Sequence, residues 1–192
     1  MVVVLNRELD ELDRLVLDFV KCLGLRYVVV SGYVAILFGR SRSTDDVDVV
    51  VEAAAASEIA ERVGRCGFKP LSLTEHMEEE FRHASVRFYK PPRLMPNFEV
   101  KPPRSRYQRY ALANRLEVRL GGEAIYVSPI ELQIAYKLWL GSEKDVEDAV
   151  FLYSYAKAKG ILNEESLEMW AREMGISLRS LRGRGGATWS TT

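Results

Sequence analysis

The chain has 192 residues, of which 47% are apolar and 28% charged, a composition typical of a folded globular protein rather than a disordered one. Basic and acidic residues number 27 each, so the net charge gives no general attraction to nucleic acid or membranes. The apolar opening MVVVL is too short for a secretion signal or a membrane span, and we expect a cytoplasmic protein without membrane contact.

The two cysteines each fall in a stretch that we interpret as the inner face of a helix. Free cysteine behaves as a small apolar residue in such a position. We therefore predict that Cys22 and Cys66 are buried reduced thiols rather than a disulfide or a metal pair.

The N-terminal part alternates helices and strands. Apolar residues at helical spacing predict a helix over 6–23, with Asn6 as its N-cap and Gly24 after its last turn. Valine-rich runs bounded by polar loops predict buried strands. The elements that follow are a strand over 26–30, a short helix over 33–38, a strand over 46–51 and an alanine-rich helix over 52–66.

The middle of the chain is less regular, with proline pairs closing the loops. Its predicted elements are strands over 69–73, 84–90 and 95–101, an acidic turn or loop over 74–80, a helix over 106–114, and a hairpin over 116–127 around Gly121-Gly122.

The C-terminal third is helical. The sequence SPIE at 128–131 has the residue order of a capping box and predicts a helix over 129–140. Two further helices are predicted over 142–159 and 163–174. We expect an α+β protein with an α/β core over 1–127, a helical part over 128–176 and a flexible tail over 177–192.

Two carboxylates stand close together on the second strand. Asp46 and Asp48 share one face of it, because side chains two residues apart on a strand point the same way, with α-carbons about 6.8 Å apart. Unpaired carboxylates this close repel, and a divalent cation coordinated by both removes the repulsion. Oxygen ligands favour Mg²⁺ or Mn²⁺ over zinc. The alternative is that Asp46 caps the strand and Asp48 is solvated at a sheet edge.

A serine-glycine turn precedes this strand. Ser31 and Gly32 lie where a strand passes into a helix, and backbone N–H groups there can bind phosphate. Arg40 and Arg42 follow and could screen phosphate charge. By itself the turn could be an ordinary tight turn. Together with the carboxylates it indicates a nucleoside triphosphate site.

Residues 31–48 resemble the signature of the polymerase-beta-type nucleotidyltransferase superfamily. The matching residues are Ser31, Gly32, Arg42, Thr44, Asp46 and Asp48, with Gly39 at the position of a second glycine. The pattern is most similar to that of small AbiEii-like and minimal prokaryotic nucleotidyltransferases, and 128–152 is similar to their downstream segment. The resemblance implies a mixed sheet flanked by helices, with an NTP as substrate and Mg²⁺ or Mn²⁺ as cofactor.

The resemblance also implies roles for individual residues. Ser31, Gly32 and Arg42 would bind the nucleotide phosphates, Asp46 and Asp48 would bind metal, and Lys137 would contact a phosphate. Glu99 fits the third metal-binding acid, because Phe98 and Val100 would face the core while Glu99 faces a cleft. The chain departs from the family pattern at Ser31, where glycine is usual, and at Glu99, where aspartate is commoner.

Three weaker candidates stay open. His76 and His83 belong to a solvated loop or contact substrate or metal. Asp145 and Asp148 support the site or are simply exposed. The basic-aromatic segment RSRYQRY at 104–110 is a surface helix or a platform for a base or an RNA end.

The leading hypothesis is a metal-dependent transfer of NMP from an NTP to a hydroxyl of RNA, protein or a small molecule. The resemblance also allows a toxin-like role for this protein, for which a cognate antitoxin-like partner is expected. A second hypothesis is a binding module that holds a nucleotide or a partner protein without chemistry. A third is a structural α/β protein.

Overall fold

The valine-rich strands assemble into one mixed sheet in the computed structural model. The structure describes residues 1–72 and 75–182, and for Arg182 it describes the main chain alone. The chain divides into two units, Met1–Pro129 and Ile130–Thr192. The expected mixed α/β architecture is confirmed. No helix in the described ranges is long and apolar enough to cross a membrane.

Eight strands in the described part of the chain form the sheet of the N-terminal unit. They are β1 (Val2–Leu5), β2 (Tyr27–Val30), β3 (Asp46–Val51), β4 (Lys69–Pro70), β5 (Val86–Lys90), β6 (Arg93–Lys101), β7 (Leu116–Leu120) and β8 (Glu123–Val127). Their order across the sheet is β1-β7-β8-β2-β3-β6-β5-β4. The pairs β1/β7, β8/β2 and β3/β6 are parallel and the others antiparallel.

Five helices accompany this sheet within the described residues. They are α1 (Glu11–Leu23), α2 (Gly32–Leu37), α3 (Ala56–Gly64), α4 (Met77–His83) and α5 (Arg106–Ala113).

Aromatic packing fixes which face of the sheet is buried. Phe19 of α1 stacks on Phe98 of β6 with ring centroids 3.9 Å apart, and Phe68 meets Phe19 edge-on at 5.0 Å. These rings are almost fully buried. Because side chains alternate along a strand, burial of Phe98 turns its neighbours Asn97 and Glu99 to the opposite face. That face carries the polar residues described below.

The C-terminal unit is helical, with α6 (Ile130–Leu140), α7 (Glu143–Ala158), α8 (Glu164–Met174) and α9 (Arg179–Arg182). Ser142 caps α7 and Asn163 caps α8, each by accepting a main-chain N–H in the first turn. Residues 177–182, part of the predicted tail, include α9, and 183–192 lie outside the described residues.

The start of the chain differs from prediction. The first helix begins at Glu11 instead of residue 6, because Asp10 and Asp13 form a reciprocal capping box and Asp10 rather than Asn6 is the N-cap. The preceding residues form β1, which the sequence reasoning missed. Val3 and Leu5 are buried while Val2 and Val4 are exposed, and this alternation was the available signal.

The prediction of reduced cysteines was wrong, since Cys22 and Cys66 form a disulfide with α-carbons 6.3 Å apart. Neither thiol lies on an inner helix face. Cys22 is half-buried near the end of α1, and Cys66 is exposed in the turn after α3. The helices α1 and α3 pack against each other and bring the two residues within reach.

Two further local predictions were wrong, namely the acidic turn or loop over 74–80 and the capping box at 128–131. The acidic segment is helical over Met77–His83, because Met77 and Phe81, one turn apart, are both buried; residues 73 and 74 lie outside the described residues. The carboxylate of Glu131 does not cap its own helix with Ser128. It accepts the main-chain N–H of Asn163 at 2.8 Å instead.

Candidate functional site

The acidic residues meet on two neighbouring parallel strands. Asp46 of β3 is the register partner of Asn97 on β6, and Asp48 is the partner of Glu99. Partners in adjacent strands project from the same face of a sheet. The polar face opposite Phe98 therefore carries all three predicted metal-binding acids, and the structure brings Asp48 and Glu99 side by side. We call this surface the carboxylate face.

Two basic side chains hold these carboxylates. The ammonium Nζ of Lys101 lies 2.6 Å from Oδ1 of Asp48. On the next strand, Arg87 is the register partner of Glu99, and its Nε donates to Oε1 of Glu99 at 2.7 Å. The two neighbouring acids, Glu99 and Asp48, are thus flanked by Arg87 on one side and Lys101 on the other, and these counter-ions offset the repulsion between the acids.

Asn97 belongs to the same face but was not recognised in the sequence. Its Nδ2 donates to the main-chain oxygen of Asp45 at 3.1 Å, which fixes the orientation of the amide. The other end of the amide, Oδ1, is buried and has no hydrogen-bond partner among the residues that the structure describes. A buried acceptor of this kind calls for a ligand or water. The signal for Asn97 was its position two residues before Glu99.

The serine-glycine turn is closely covered by an arginine. A Cβ atom built on Gly32 would lie 2.5 Å from Nη2 of Arg42, so glycine lets the guanidinium approach the main chain. Ser31 has φ 65° and ψ −135°, a conformation that glycine adopts easily and other residues do not. The hydroxyl of Thr44 donates to the main-chain oxygen of Asp46 at 2.9 Å, and so links the loop that carries Arg42 to strand β3.

A buried polar network anchors the helix that follows this turn, and sequence reasoning missed it. Asp13 of α1 accepts hydrogen bonds from Arg7 and from the hydroxyl of Tyr33, and Arg7 also donates to the carbonyl of Leu37 at 3.1 Å. Burial raises the pKa of the Tyr33 hydroxyl, and the Asp13 charge raises it further. Burial would raise the pKa of Asp13 too, but the Arg7 and Tyr33 hydrogen bonds outweigh it and lower this pKa.

Lys137 lies in the helical unit and is held by two acids. Its Nζ is 2.7 Å from Oδ1 of Asp145 and 2.8 Å from Oδ2 of Asp148, and only 2% of the lysine side chain is exposed. Burial works to raise the pKa of Asp145, but hydrogen bonds from Lys137 and Ser142 outweigh it and the pKa is lowered. These acids are therefore part of a buried ion-pair cluster around Lys137, whose contact with phosphate stays a prediction.

The remaining candidates lie at the surface. His76 and His83 are exposed, His76 just before α4 and His83 in its last turn. In the basic-aromatic segment, Arg104 donates to the carbonyl of Arg82 at 3.1 Å and Arg109 to the carbonyl of Arg104 at 2.6 Å. Both arginines therefore make main-chain contacts that hold the start of α5.

The resemblance implies a divalent cation at the carboxylate face, and the donor chemistry fits one. Carboxylate and amide oxygens are the ligands that Mg²⁺ and Mn²⁺ prefer. Over 1–72 and 75–182, no three histidine, cysteine or acidic side chains converge tightly enough to hold an ion. Lys101 engages one oxygen of Asp48 and Arg87 one oxygen of Glu99, so a cation at this face would have to share or displace these partners.

Comparison with known proteins supports the fold through solved structures. No protein-family model matches the sequence, and a comparison with curated proteins gave no match. An antigenic nucleotidyltransferase-like protein from Paracoccidioides brasiliensis matches with TM-score 0.52 and 14% identity, over 88% of this chain and 89% of that one.

The antibiotic-resistance factor ANT(2'')-Ia also matches. Its solution structure gives TM-score 0.57 at 11% identity, over 86% of this chain and 93% of that one. Its crystal structure in complex with adenylyl-2''-tobramycin gives 0.51 at 12% identity, over 83% and 97%. At these identities the likeness concerns architecture alone, and it shows that the chain has the fold of nucleotidyltransferase-like proteins.

Proposed function

We propose that the protein is a Mg²⁺- or Mn²⁺-dependent nucleotidyltransferase that moves NMP from an NTP to an acceptor hydroxyl. The observation that carries the proposal is the register of Asp48 with Glu99 on parallel strands, on the face opposite the aromatic core. The fold shared with nucleotidyltransferase-like proteins supports it.

Each group at the face has a role in this proposal. Asp46, Asp48 and Glu99 would hold the metal, and Asn97 Oδ1 would accept a hydrogen bond from a ligand or its water. Arg42 and the main chain of Ser31 and Gly32 would bind the phosphates. Because α2 has only six residues, the turn itself and the guanidinium would supply this contact rather than a long helix dipole.

The reaction forms one bond and breaks one. The acceptor oxygen bonds to the α-phosphorus, the bond from that phosphorus to the bridging oxygen breaks, and pyrophosphate leaves. A divalent metal held by Asp46, Asp48 and Glu99 would neutralise charge on the phosphates and acidify the acceptor hydroxyl. The carboxylates orient these groups, and a carboxylate or water accepts the hydroxyl proton.

A non-catalytic nucleotide-binding or partner-binding module is the second candidate. The ion pairs of Asp48 with Lys101 and of Glu99 with Arg87 favour it, because a site without metal needs these counter-ions permanently. Ser31 stands where the family pattern usually has its first glycine. This departure in the phosphate-binding turn also favours the module over the enzyme.

The first experiment measures binding. The melting temperature is recorded with each NTP at millimolar concentration, with and without Mg²⁺ or Mn²⁺. A ligand that binds the native state raises it by mass action. We expect a rise only when metal and NTP are both present, and its loss in Asp48→Asn. No rise with any combination would contradict both the transferase and the nucleotide-binding module.

The second experiment separates the enzyme from the module. The protein is incubated with each NTP labelled at the α-phosphate, Mg²⁺, and separate pools of RNA, protein and small molecules from a lysate. Transfer of label to one pool supports the enzyme and identifies the class of acceptor. That acceptor would also be the cellular target if the protein is toxin-like. Binding without transfer to any pool supports the module. A genomic neighbour that suppresses transfer would be the antitoxin-like partner.

A further inference from the structure

We propose that Lys101 and Arg87 act as exchangeable counter-ions, which a divalent cation must displace to bind Asp48 and Glu99. This inference rests on the proposed function and concerns how its metal site is regulated. Each of the two side chains already pairs with one of these acids, so each would compete with metal for that acid.

The geometry makes the competition direct. Lys101 Nζ contacts Oδ1 of Asp48 at 2.6 Å, and Arg87 Nε contacts Oε1 of Glu99 at 2.7 Å. An oxygen bound to an ammonium or guanidinium group cannot coordinate a metal at a normal distance of about 2.1 Å without losing that partner or sharing it. Asp48 and Glu99 are register neighbours, so one divalent cation could contact both. Its charge of +2 equals the combined charge of Lys101 and Arg87, which it would replace.

The two counter-ions differ in how easily they leave. The side chain of Arg87 is 55% exposed, so its guanidinium can move into water at little cost. The side chain of Lys101 is only 21% exposed, and its ammonium group would lose a partner in a less hydrated place. Lys101 is therefore the stronger competitor, and an anionic ligand that gives it a new partner would assist metal binding.

A nucleotide phosphate is such an anion. When metal replaces Lys101 at Asp48, the ammonium group stays at the carboxylate face, where the phosphates of a bound NTP would lie. Metal and nucleotide should therefore bind cooperatively, with Lys101 passing from carboxylate to phosphate. Lys101 is in this view a positioning residue that ties metal affinity to the presence of substrate.

The test measures binding of Mn²⁺ alone to the full chain by calorimetry, without nucleotide. We expect Lys101→Met to bind Mn²⁺ about 10-fold more tightly than wild type and Arg87→Met about 3-fold, in line with losing one partly buried and one exposed ion pair. Lys21→Met is the matched control. Lys21 pairs with Glu123 at 2.7 Å, outside the carboxylate face, so this variant removes a positive charge without freeing a site oxygen.

A second measurement tests the transfer to phosphate. Adding a non-hydrolysable NTP should tighten Mn²⁺ binding at least about 5-fold in wild type and less in Lys101→Met, the scale of typical coupling between sites. Equal tightening by the NTP in wild type and Lys101→Met would show that Lys101 does not pass to the phosphate. Arg87→Met, a variant of an exposed side chain, keeps the counter-ion test valid if Lys101→Met is unstable.

The outcomes separate this inference from the proposed function. If wild type binds Mn²⁺ and neither Lys101→Met nor Arg87→Met binds it more tightly than Lys21→Met, the counter-ion inference is wrong and the transferase proposal stands. If wild type and all variants bind no Mn²⁺, with or without NTP, both are wrong.

Discussion

The hydroxyl of Tyr33 donates a hydrogen bond of 2.7 Å to Oδ1 of Asp13, joining α2 to α1 inside the N-terminal unit. Both side chains are fully buried. Asp13 also accepts the main-chain N–H of Asp10 at 3.0 Å and is paired with Arg7. Because α2 begins at Gly32, this network holds the helix that leads out of the serine-glycine turn.

Asp13→Asn should lower the free energy of unfolding by about 3 kcal/mol, because breaking a buried pair leaves the remaining partner uncompensated. Tyr33→Phe, which removes one hydrogen bond to a charged group, should cost about 1.5 kcal/mol. All three tryptophans lie after residue 130, so unfolding of the N-terminal unit is best followed by circular dichroism in urea. Asp18→Asn, on the exposed side of α1, is the control and should change stability little. Equal stabilities of Asp13→Asn and Asp18→Asn would contradict the role of the network.

Acid should weaken the same network. The pKa of Asp13 is lowered from its ordinary value of 3.8, burial being outweighed by the Arg7 and Tyr33 hydrogen bonds. A depressed pKa means that the stabilisation is present in full above pH 3.8 and is lost as the pH falls below that value through the folded-state pKa. The stability difference between wild type and Asp13→Asn should therefore shrink in this range, as measured by urea unfolding at a series of pH values. A difference that stays constant down to pH 2 would show that Asp13 does not titrate with unfolding.

The disulfide should contribute substantially to stability. Cys22 and Cys66 are 44 residues apart, and the loop between them contains the serine-glycine turn and the carboxylate strand β3. Closing a loop of this length stabilises a fold by about 4 kcal/mol in the chain-entropy model. We expect reduction, or the double variant Cys22→Ser and Cys66→Ser, to lower the free energy of unfolding by up to this amount. Thiol titration of the unfolded, unreduced protein should find no free thiol, and two reactive thiols would disprove the bond.

Local periodicity predicted most strands but not what pairs across them. The alternation in DVDVVV placed Asp46 and Asp48 on one face, and the inward positions of Phe98 and Val100 placed Glu99 opposite the core. The contacts of Lys101 and Arg87 depend on the register of β3, β5 and β6, which local sequence does not determine. Register is a property of the assembled sheet.

The buried network left a local signal that was not used. Asp13 is spaced three, four and seven residues before Val16, Leu17 and Val20, on the apolar stripe of α1. A carboxylate at a core-facing position requires buried partners, which Arg7 and Tyr33 provide. The disulfide could not be predicted in this way, because it depends on how α1 and α3 pack.

The strained turn offers a test with a matched pair of variants. Ser31→Gly should be more stable than Ser31→Ala by about 1 kcal/mol, because glycine accepts φ 65° while alanine keeps the strain of the serine. Both variants lack the hydroxyl, so the difference isolates the main-chain conformation. Stability is measured by urea unfolding, and nucleotide binding by the melting shift with metal and NTP. If Ser31→Ala equals Ser31→Gly in stability, the turn is not strained as described.

The decisive test of the proposed chemistry is Glu99→Gln. Glutamine keeps the size of glutamate and most of its hydrogen bonding while deleting its charge. In the proposed reaction Asp46 and Asp48 would hold the metal bound to the NTP, whereas Glu99 would chiefly position the metal that activates the acceptor hydroxyl, so its charge would act mainly in the transition state. We therefore expect near-normal NTP binding and a transfer rate lower by at least about 100-fold, the usual scale for losing one preorganised charged group.

Glu99→Gln also breaks the ion pair with Arg87, and the matched control is Arg87→Met, which breaks the same pair but keeps the carboxylate. Transfer should survive in Arg87→Met and should need less Mg²⁺ than in wild type, because a competitor for Glu99 has been removed. Equal losses in the two variants would mean that the ion pair, and not a metal-binding carboxylate, is what transfer requires. An active Glu99→Gln enzyme would instead assign the third acid to another residue. Nucleotide affinity and transfer rate, measured on the same samples, distinguish these outcomes, because only a carboxylate that acts in the transition state lowers the rate while leaving the affinity unchanged.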